Sequence, residues 1–241
     1  MSINSKIAVL TGANGQLGRV FLKSLLADFF KVYAVDLLFN NLTPHENVTI
    51  KNVDITKEKE VVAFFKSISR VDVLVNNAGV GVFTPFEERT FEELDKVIRV
   101  NLLGTTLMCR EAVKKMLPLK NGTILNIGSV YGQVSSDPRI YGESHRLNSD
   151  VYSATKAGVI MLSKYLAAHY APNNIRVNTL SPGGVFNHQS EDFIKEYEKK
   201  VPAGRMASPE DLLPTFRLLT SCDNPYLTGQ NITVDGGFSA W

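Results

Sequence analysis

Short apolar runs alternate with amphipathic stretches along the whole chain. Lys6-Ile7-Ala8-Val9-Leu10-Thr11, Val32-Tyr33-Ala34-Val35, Val71-Asp72-Val73-Leu74-Val75, Thr123-Ile124-Leu125-Asn126-Ile127, residues 175–180 and residues 230–234 read as strands. Each is short, rich in β-branched or aliphatic residues and bounded by turn formers, as buried strands are. Residues 15–27, 57–67, 91–117, 151–169 and 209–221 carry the helical pattern; Leu17, Val20, Phe21, Leu25 and Leu26 mark it in the first of them. Such alternation predicts an α/β fold, a single domain with a doubly wound parallel sheet covered by helices on both faces. Ligands of such sheets bind at the carboxyl ends of the strands, where Gly12, Asp36, Gly79, Ser129 and Pro182 all fall, so one cleft is expected to collect them.

The first strand runs directly into Gly12-Ala13-Asn14-Gly15-Gln16-Leu17-Gly18. Glycines at a strand-to-helix turn allow tight turning and close approach of an anion to the main chain, and the helix dipole favours a pyrophosphate there. The second strand ends in Asp36, 18 residues after Gly18, near the distance at which an acid accepts the hydroxyls of an adenosine ribose. A carboxylate at that place repels a 2′-phosphate, which favours NAD, with NADP less favoured. Arg19 is the nearby base and reads as a solvated residue of the first helix. Further on, Tyr152 and Lys156 in Tyr152-Ser153-Ala154-Thr155-Lys156 stand one helical turn apart. A protonated amine beside a phenol favours the phenolate, so this pair suits proton transfer near neutral pH.

With Asn76-Asn77-Ala78-Gly79, Asn101 in Val100-Asn101-Leu102-Leu103-Gly104, Ser129, and Ser181-Pro182-Gly183 in the same order, the chain resembles the short-chain dehydrogenase/reductase family in its compact single-domain branch, over nearly its whole length. The resemblance implies a Rossmann fold and a nicotinamide cofactor. Tyr152 would be the general acid/base, Lys156 would lower its pKa and bind the nicotinamide ribose, Ser129 would hydrogen-bond the reacting oxygen, and Asn101 would hold a water linking Lys156 to solvent. Gly12, Asn14, Gln16, Leu17, Asp36, Asp54, Ile55, Asn77, Ala78, Gly79, Pro182, Gly183 and Val185 would bind cofactor together with Tyr152 and Lys156; Asn76 could also touch it. Plainer readings stand beside these: Ser129 as a turn former, Asn101 as a satisfied polar residue in a long helix, Asp54 as a cap near Thr56, and the Asn76-Asn77 turn as structural.

Two features depart from the compact pattern. Gly12-x-x-Gly15-x-x-Gly18 resembles the extended branch, since the middle glycine of the compact branch usually sits at what is here Gln16. Ser129 and Tyr152 stand 23 residues apart, so residues 136–148 must loop out beside the site. That insert carries Asp137, Arg139, Tyr141, Glu143, His145 and Arg146, either as self-paired surface charges or as a polar wall for a hydroxylated or phosphorylated substrate. Residues 184–205 fall where the family carries a mobile substrate lid. These segments and the ending Val234-Asp235-Gly236-Gly237-Phe238-Ser239-Ala240-Trp241 look like a bacterial subgroup associated with flagellin modification and surface-polysaccharide biosynthesis. The expected activity is NAD(P)-dependent interconversion of a secondary alcohol and a ketone, on a sugar or sugar derivative. A 3-oxoacyl or other carbonyl reductase and a non-catalytic dinucleotide-binding regulator are the alternatives.

Composition removes other classes. The 241 residues suffice for one α/β domain, and a net charge of +2 from 26 basic and 24 acidic residues gives no footprint for nucleic acid or an anionic membrane. No uncharged apolar run approaches a membrane span, and the polar residues 1–5 leave no room for a signal peptide, so a cytoplasmic location is expected. Cys109 and Cys222 lack metal-ligand spacing and read as free thiols; the four histidines form no cluster, and no metal is expected. The partners expected are a small-molecule substrate and a second copy of the chain: the family commonly forms homodimers or homotetramers through helices at 91–117 and 151–169, and Phe238 and Trp241 could join such a contact.

Overall fold

The computed structural model describes residues 6–28, 30–40, 42–142 and 150–241. Its strands are β1 (Ile7–Thr11), β2 (Lys31–Asp36), β3 (Val48–Asn52), β4 (Val73–Asn76), β5 (Gly122–Ile127), β6 (Ile175–Pro182) and β7 (Asn231–Val234). They form one sheet in the order β3-β2-β1-β4-β5-β6-β7 with every pairing parallel. The inner strands β4, β5 and β6 are buried at every position, whereas the edge strand β3 is half exposed. Strands covered on both faces are mostly apolar, and the polar residues they bury, such as Asn126, Arg176 and Asn178, are hydrogen-bonded within the fold.

Helices α1 (Gln16–Ala27) and α7 (Leu213–Thr220) cover one face, while α2 (Glu58–Ser67), α4 (Thr105–Met116) and α5 (Asp150–Tyr170) cover the other. Alternate residues of each strand supply the two cores. Leu10, Val73, Val75 and Leu125 meet Phe21 and Phe216, whose rings stack at 4.2 Å. Val9, Leu74, Ile124 and Val177 meet Phe64, Phe65, Met108 and Met116. No helix among the described residues is long and apolar enough to cross a membrane.

The stretch 91–117, expected as one helix, divides into α3 (Phe91–Ile98), a π-helical turn (Arg99–Gly104) and α4. Thr90 and Glu93 close a reciprocal capping box at its start. The widened turn places Asn101 inward, 1 % exposed, and such turns are frequent at functional sites. The stretch 209–221 likewise splits, into a 3₁₀ turn (Pro209–Leu212) and α7. A further helix, α6 (Glu191–Lys200), falls in the expected lid.

The turn from β1 to α1 leaves no space for side chains at two of its glycines. Gly12 has φ +62°, and a Cβ on Gly18 would lie 2.0 Å from the Gly12 carbonyl oxygen, a backbone atom that cannot step aside. Gly18→Ala is therefore expected to lower stability by roughly 2–3 kcal/mol, seen as a fall of roughly 5–10 °C in Tm by circular dichroism. An unchanged Tm would show that the turn relaxes at no cost.

Candidate active site

The carboxyl ends of β1, β2 and β4 open on a cleft of about 630 Å³. Gly12, Asn14, Gln16, Leu17, Asp36, Asp54, Ile55, Asn77, Ala78 and Gly79 all line it. The first turn of α1 opens there with Gly15 at its N-cap and no side-chain cap, so backbone N–H groups and the helix dipole face any anion in the cleft. A clasp between two strand ends shapes this cradle. Thr11 Oγ1 accepts the N–H groups of Asn77 and Ala78 at 3.1 Å each, and Asn77 Nδ2 donates to the carbonyls of Thr11 and Gly12 at 3.2 and 3.0 Å. Asn77 thus has the structural role its residue type suggested, while still bordering the cleft. The glycine turn, the uncapped helix start and the acid at the end of β2 together fit a dinucleotide.

Asp36 accepts the N–H groups of Asn14 at 2.9 Å and Leu37 at 2.8 Å. Its carboxylate is thereby fixed at the cleft wall with acceptor capacity remaining, since two oxygens offer about four lone-pair sites. Arg19 is not simply solvated: its guanidinium donates to the carbonyl and side-chain oxygens of Asn14, 3.0 Å each, and to the Asn40 carbonyl at 3.1 Å. Asp54 turns the chain toward α2 by accepting from the N–H and hydroxyl of Thr56 at 2.9 and 2.7 Å, but it does not cap that helix, which starts at Glu58 with Lys57 at its N-cap and no side-chain cap; its place in the cleft lining stands.

Asn76 does not line the cleft. It is buried, with Nδ2 donating to Asn126 Oδ1 at 2.8 Å and to Cys109 Sγ at 3.2 Å. Burial pushes the Cys109 thiol up to about 12, while Cys222 is exposed and free. Pro182, Gly183 and Val185 also lie outside the cleft lining, where β6 ends. Their segment nevertheless borders the glycine turn, because Gln16 Nε2 donates to the Phe186 carbonyl at 2.5 Å. Leu37, Leu38, Lys96 and Val100 line the cleft without having been singled out in the sequence. The first two carried a usable signal, apolar residues placed directly after the strand-end acid.

Ser129, Tyr152 and Lys156 converge at the end of β5. Ser129 starts a 3₁₀ turn (Val130–Gly132) and accepts from the Tyr131 N–H at 3.1 Å, so the turn-forming role is real, and its side chain is also hydrogen-bonded to Tyr152. Lys156 is 5 % exposed; its Nζ donates to the Ile127 carbonyl at 2.7 Å and lies 5.5 Å from the centre of the Tyr152 ring. A Cβ at Gly79 would stand 3.4 Å from that ammonium and 3.5 Å from Asn101 Oδ1, so this residue of the cleft lining packs directly against Lys156 and Asn101.

One expectation needs correction. Lys156 was expected to pull the Tyr152 phenol down, but burial dominates and holds it above its usual value, with the Ser129 hydrogen bond opposing. The ammonium lies against the ring face and donates to Ile127, and burial lowers its own pKa to about 8. The Asn101 side chain ties the loop after β4 to α5, accepting the Val80 N–H at 2.8 Å and donating to the Val80 carbonyl at 2.9 Å and Thr155 Oγ1 at 3.2 Å, the satisfied polar role that its residue type also suggested.

The inserted stretch is described through residue 142; Glu143, His145 and Arg146 lie outside the described residues. Arg139 does not reach into the site. It forms a two-point pair with Asp137, 2.9 and 2.7 Å, holding that carboxyl well below the usual carboxylate range. Phe238, 2 % exposed, packs within the chain against Tyr197 and Tyr131, while Trp241 is exposed.

The comparisons agree with this geometry. The family model described as enoyl-(acyl carrier protein) reductase matches residues 34–239. A crystal structure of a short-chain dehydrogenase from Leptospira borgpetersenii with bound NAD+ superimposes with a TM-score of 0.93 at 41% identity, covering 98% of this chain and 93% of the other. The 3-oxoacyl-[acyl-carrier-protein] reductase of Rickettsia bellii is 31% identical over 98% of both chains. The D-threitol dehydrogenase of Mycolicibacterium smegmatis is 29% identical over 98% of this chain and 94% of its own. The Ser129 and Tyr152 hydroxyls thus meet at the end of β5 in a parallel seven-stranded sheet, and the chain belongs to the short-chain dehydrogenase/reductase family, enzymes acting on CH–OH and carbonyl groups.

The depressed Lys156 sets a pH dependence for the cofactor-free protein. The folded chain releases this proton near pH 8 and the unfolded chain near 10.5, so the unfolded state holds more protons between them. Stability from this group therefore rises with pH across that window, and the full cost of burying the ammonium is present below it. Lys156→Met is expected to remove that cost, on the order of 3 kcal/mol. The stability gained by the variant in denaturant titrations should be largest at pH 7 and shrink toward pH 10.5; a pH-independent difference would refute the assignment.

Proposed function

We propose that the protein is an NAD-dependent dehydrogenase/reductase that interconverts a secondary alcohol and a ketone on a sugar or polyol derivative. The observation that carries this reading is the hydrogen bond between Ser129 and Tyr152 beside the buried Lys156, across Gly79 from a cleft that fits a dinucleotide. When bound, the nicotinamide supplies the hydride acceptor or donor. The protein manages the proton. Burial keeps the Tyr152 phenol protonated at neutral pH, ready to protonate a ketone oxygen, while Ser129 donates to the charge developing there. In oxidation Tyr152 receives the hydroxyl proton, and the Ser129 hydrogen bond is what opposes the effect of burial on the phenol.

Asp36 supports NAD over NADP, because its fixed carboxylate suits ribose hydroxyls and opposes a phosphate. Pro182, Gly183 and Val185 belong to the same proposed cofactor site, reached through the segment that Gln16 touches. The sugar assignment, with a role in surface-glycan or flagellin-modification biosynthesis, is supported by the long Ser129-to-Tyr152 spacing and the lid segment, and by similarity to a polyol dehydrogenase. Full-length similarity to a 3-oxoacyl reductase favours a second reading, reduction of 3-oxoacyl thioesters. A cytoplasmic homodimer or homotetramer fits the exposed Leu103, Met161 and Tyr165 along the helices at 91–117 and 151–169, and sedimentation of the purified protein tests it.

Screening with NAD, NADP and panels of polyols, sugar phosphates, nucleotide sugars and 3-oxoacyl thioesters, followed at the NADH band, decides between the readings. Binding of NADH without turnover of any of them would instead indicate a dinucleotide-binding regulator. Tyr152→Phe is expected to lower kcat by at least ~10² while leaving NAD binding near normal; full turnover would remove Tyr152 from the mechanism. Asp36→Ala should weaken NAD and narrow its lead over NADP in paired kcat/KM measurements, and an unchanged preference would count against Asp36.

A further inference from the structure

The chain that leaves β6 returns along the carboxyl edge of the sheet to the glycine turn. β6 and β1 are separated by β5 and β4, a span of three strand spacings or about 14 Å. Gln16, the first residue of α1, nevertheless donates from Nε2 to the Phe186 carbonyl at 2.5 Å. Val185 and Leu17 also pack on one core, the one that α1 and α7 cover. Residues 183–186 therefore form a strap that runs back past the ends of β5 and β4, where Ser129 and Gly79 lie.

The main chain of the strap is held elsewhere by partners outside the cleft. The Val234 carbonyl accepts the Gly183 N–H at 2.9 Å, the Tyr197 hydroxyl accepts the Gly184 N–H at 2.5 Å, and the Ala207 carbonyl accepts the Phe186 N–H at 2.8 Å. None of these three residues lines the cleft, whereas Gln16 does. The Phe186 ring is 42 % exposed, so the carbonyl rather than the ring anchors that residue. The Gln16–Phe186 bond is itself exposed, so its loss would free the strap on the cleft side without leaving a buried group unpaired.

A dinucleotide laid from Asp36 at the end of β2 to Tyr152 and Lys156 beside the end of β5 places its pyrophosphate at the glycine turn and its redox end next to β6, where the strap begins. We propose that Gln16 is a positioning residue that fixes residues 183–186 against the nicotinamide half of the coenzyme, tying the wall of the redox end to the turn that receives the pyrophosphate. The inference rests on the coenzyme reading above. Its signature is unequal: loss of the tie weakens a ligand that carries nicotinamide and spares one that ends at the second ribose. A direct contact of Gln16 with the pyrophosphate would weaken both alike.

Calorimetric titration of the intact chain with NADH and with ADP-ribose, which lacks the nicotinamide, gives the ratio of the two affinities. Gln16→Met keeps the length of the side chain and removes the donor. It should lower the ratio about fivefold, the size of one net hydrogen bond, with ADP-ribose affinity within about twofold of its original value. Gln16→Lys retains a donor and should keep the ratio within about twofold. An unchanged ratio in Gln16→Met, equal weakening of both ligands, tighter NADH binding, or a ratio lost as fully in Gln16→Lys overturns the proposal. The expected ratios without turnover of any alcohol or ketone would count against the redox reading alone, and failure of both ligands to bind the intact chain would remove the coenzyme reading and this inference together.

Discussion

A buried ammonium on a main-chain carbonyl ties the two halves of this site together. Lys156 comes from α5, the Ile127 carbonyl that receives its proton closes β5, and the face of Tyr152 lies 5.5 Å away. A charge at 5 % exposure persists only with partners held in register. The parallel pairing of β5 with β4 and β6 supplies that register, and α5 contributes both the amine and the phenol one turn apart. Gly79, on the loop after β4 and in the lining of the cleft, packs against that ammonium. The cleft and the Ser129, Tyr152 and Lys156 cluster therefore meet at Gly79.

Around that contact, polar side chains serve as fasteners as much as reagents. Thr11 and Asn77 bind the ends of β1 and β4 to each other, and Asn101 joins the loop after β4 to α5. Ser129 accepts a backbone N–H while its side chain bonds Tyr152. These groups sit at strand ends, where backbone hydrogen bonding of the sheet stops and orphan donors and acceptors must be satisfied. The structural and the chemical reading of such residues are two consequences of one position.

The third apolar cluster has a different character from the two cores of the sheet. It joins the 3₁₀ turn after Ser129, the insert, α6 and the chain end, and its largest members are Tyr141, Tyr197 and Phe238. Tyr141 and Tyr197 bring phenolic hydroxyls into this cluster, and the Tyr197 hydroxyl accepts the Gly184 N–H. Arg139, which the composition of the insert offered as an anion fork, is instead paired with Asp137 outside that cluster.

The periodicity of the chain was enough for the parallel sheet, its helices and the strand ends at which Gly12, Asp36, Gly79 and Ser129 cluster, since buried strands and amphipathic helices impose a pattern that neighbours in sequence must satisfy. The four-residue spacing of Tyr152 and Lys156 likewise follows from helix geometry. What tertiary structure decided was where each polar atom directs its hydrogen bonds. Nothing local distinguishes Asn76, drawn into the core by Asn126 and Cys109, from Asn77, turned toward the glycine loop. Nor does sequence alone reveal that burial outweighs the Ser129 hydrogen bond at the Tyr152 phenol, that residues 99–104 widen into a π-helical turn, or that Tyr131 meets Tyr141. Desolvation and long-range hydrogen bonding depend on atoms brought together from distant parts of the chain, and only packing in three dimensions sets them.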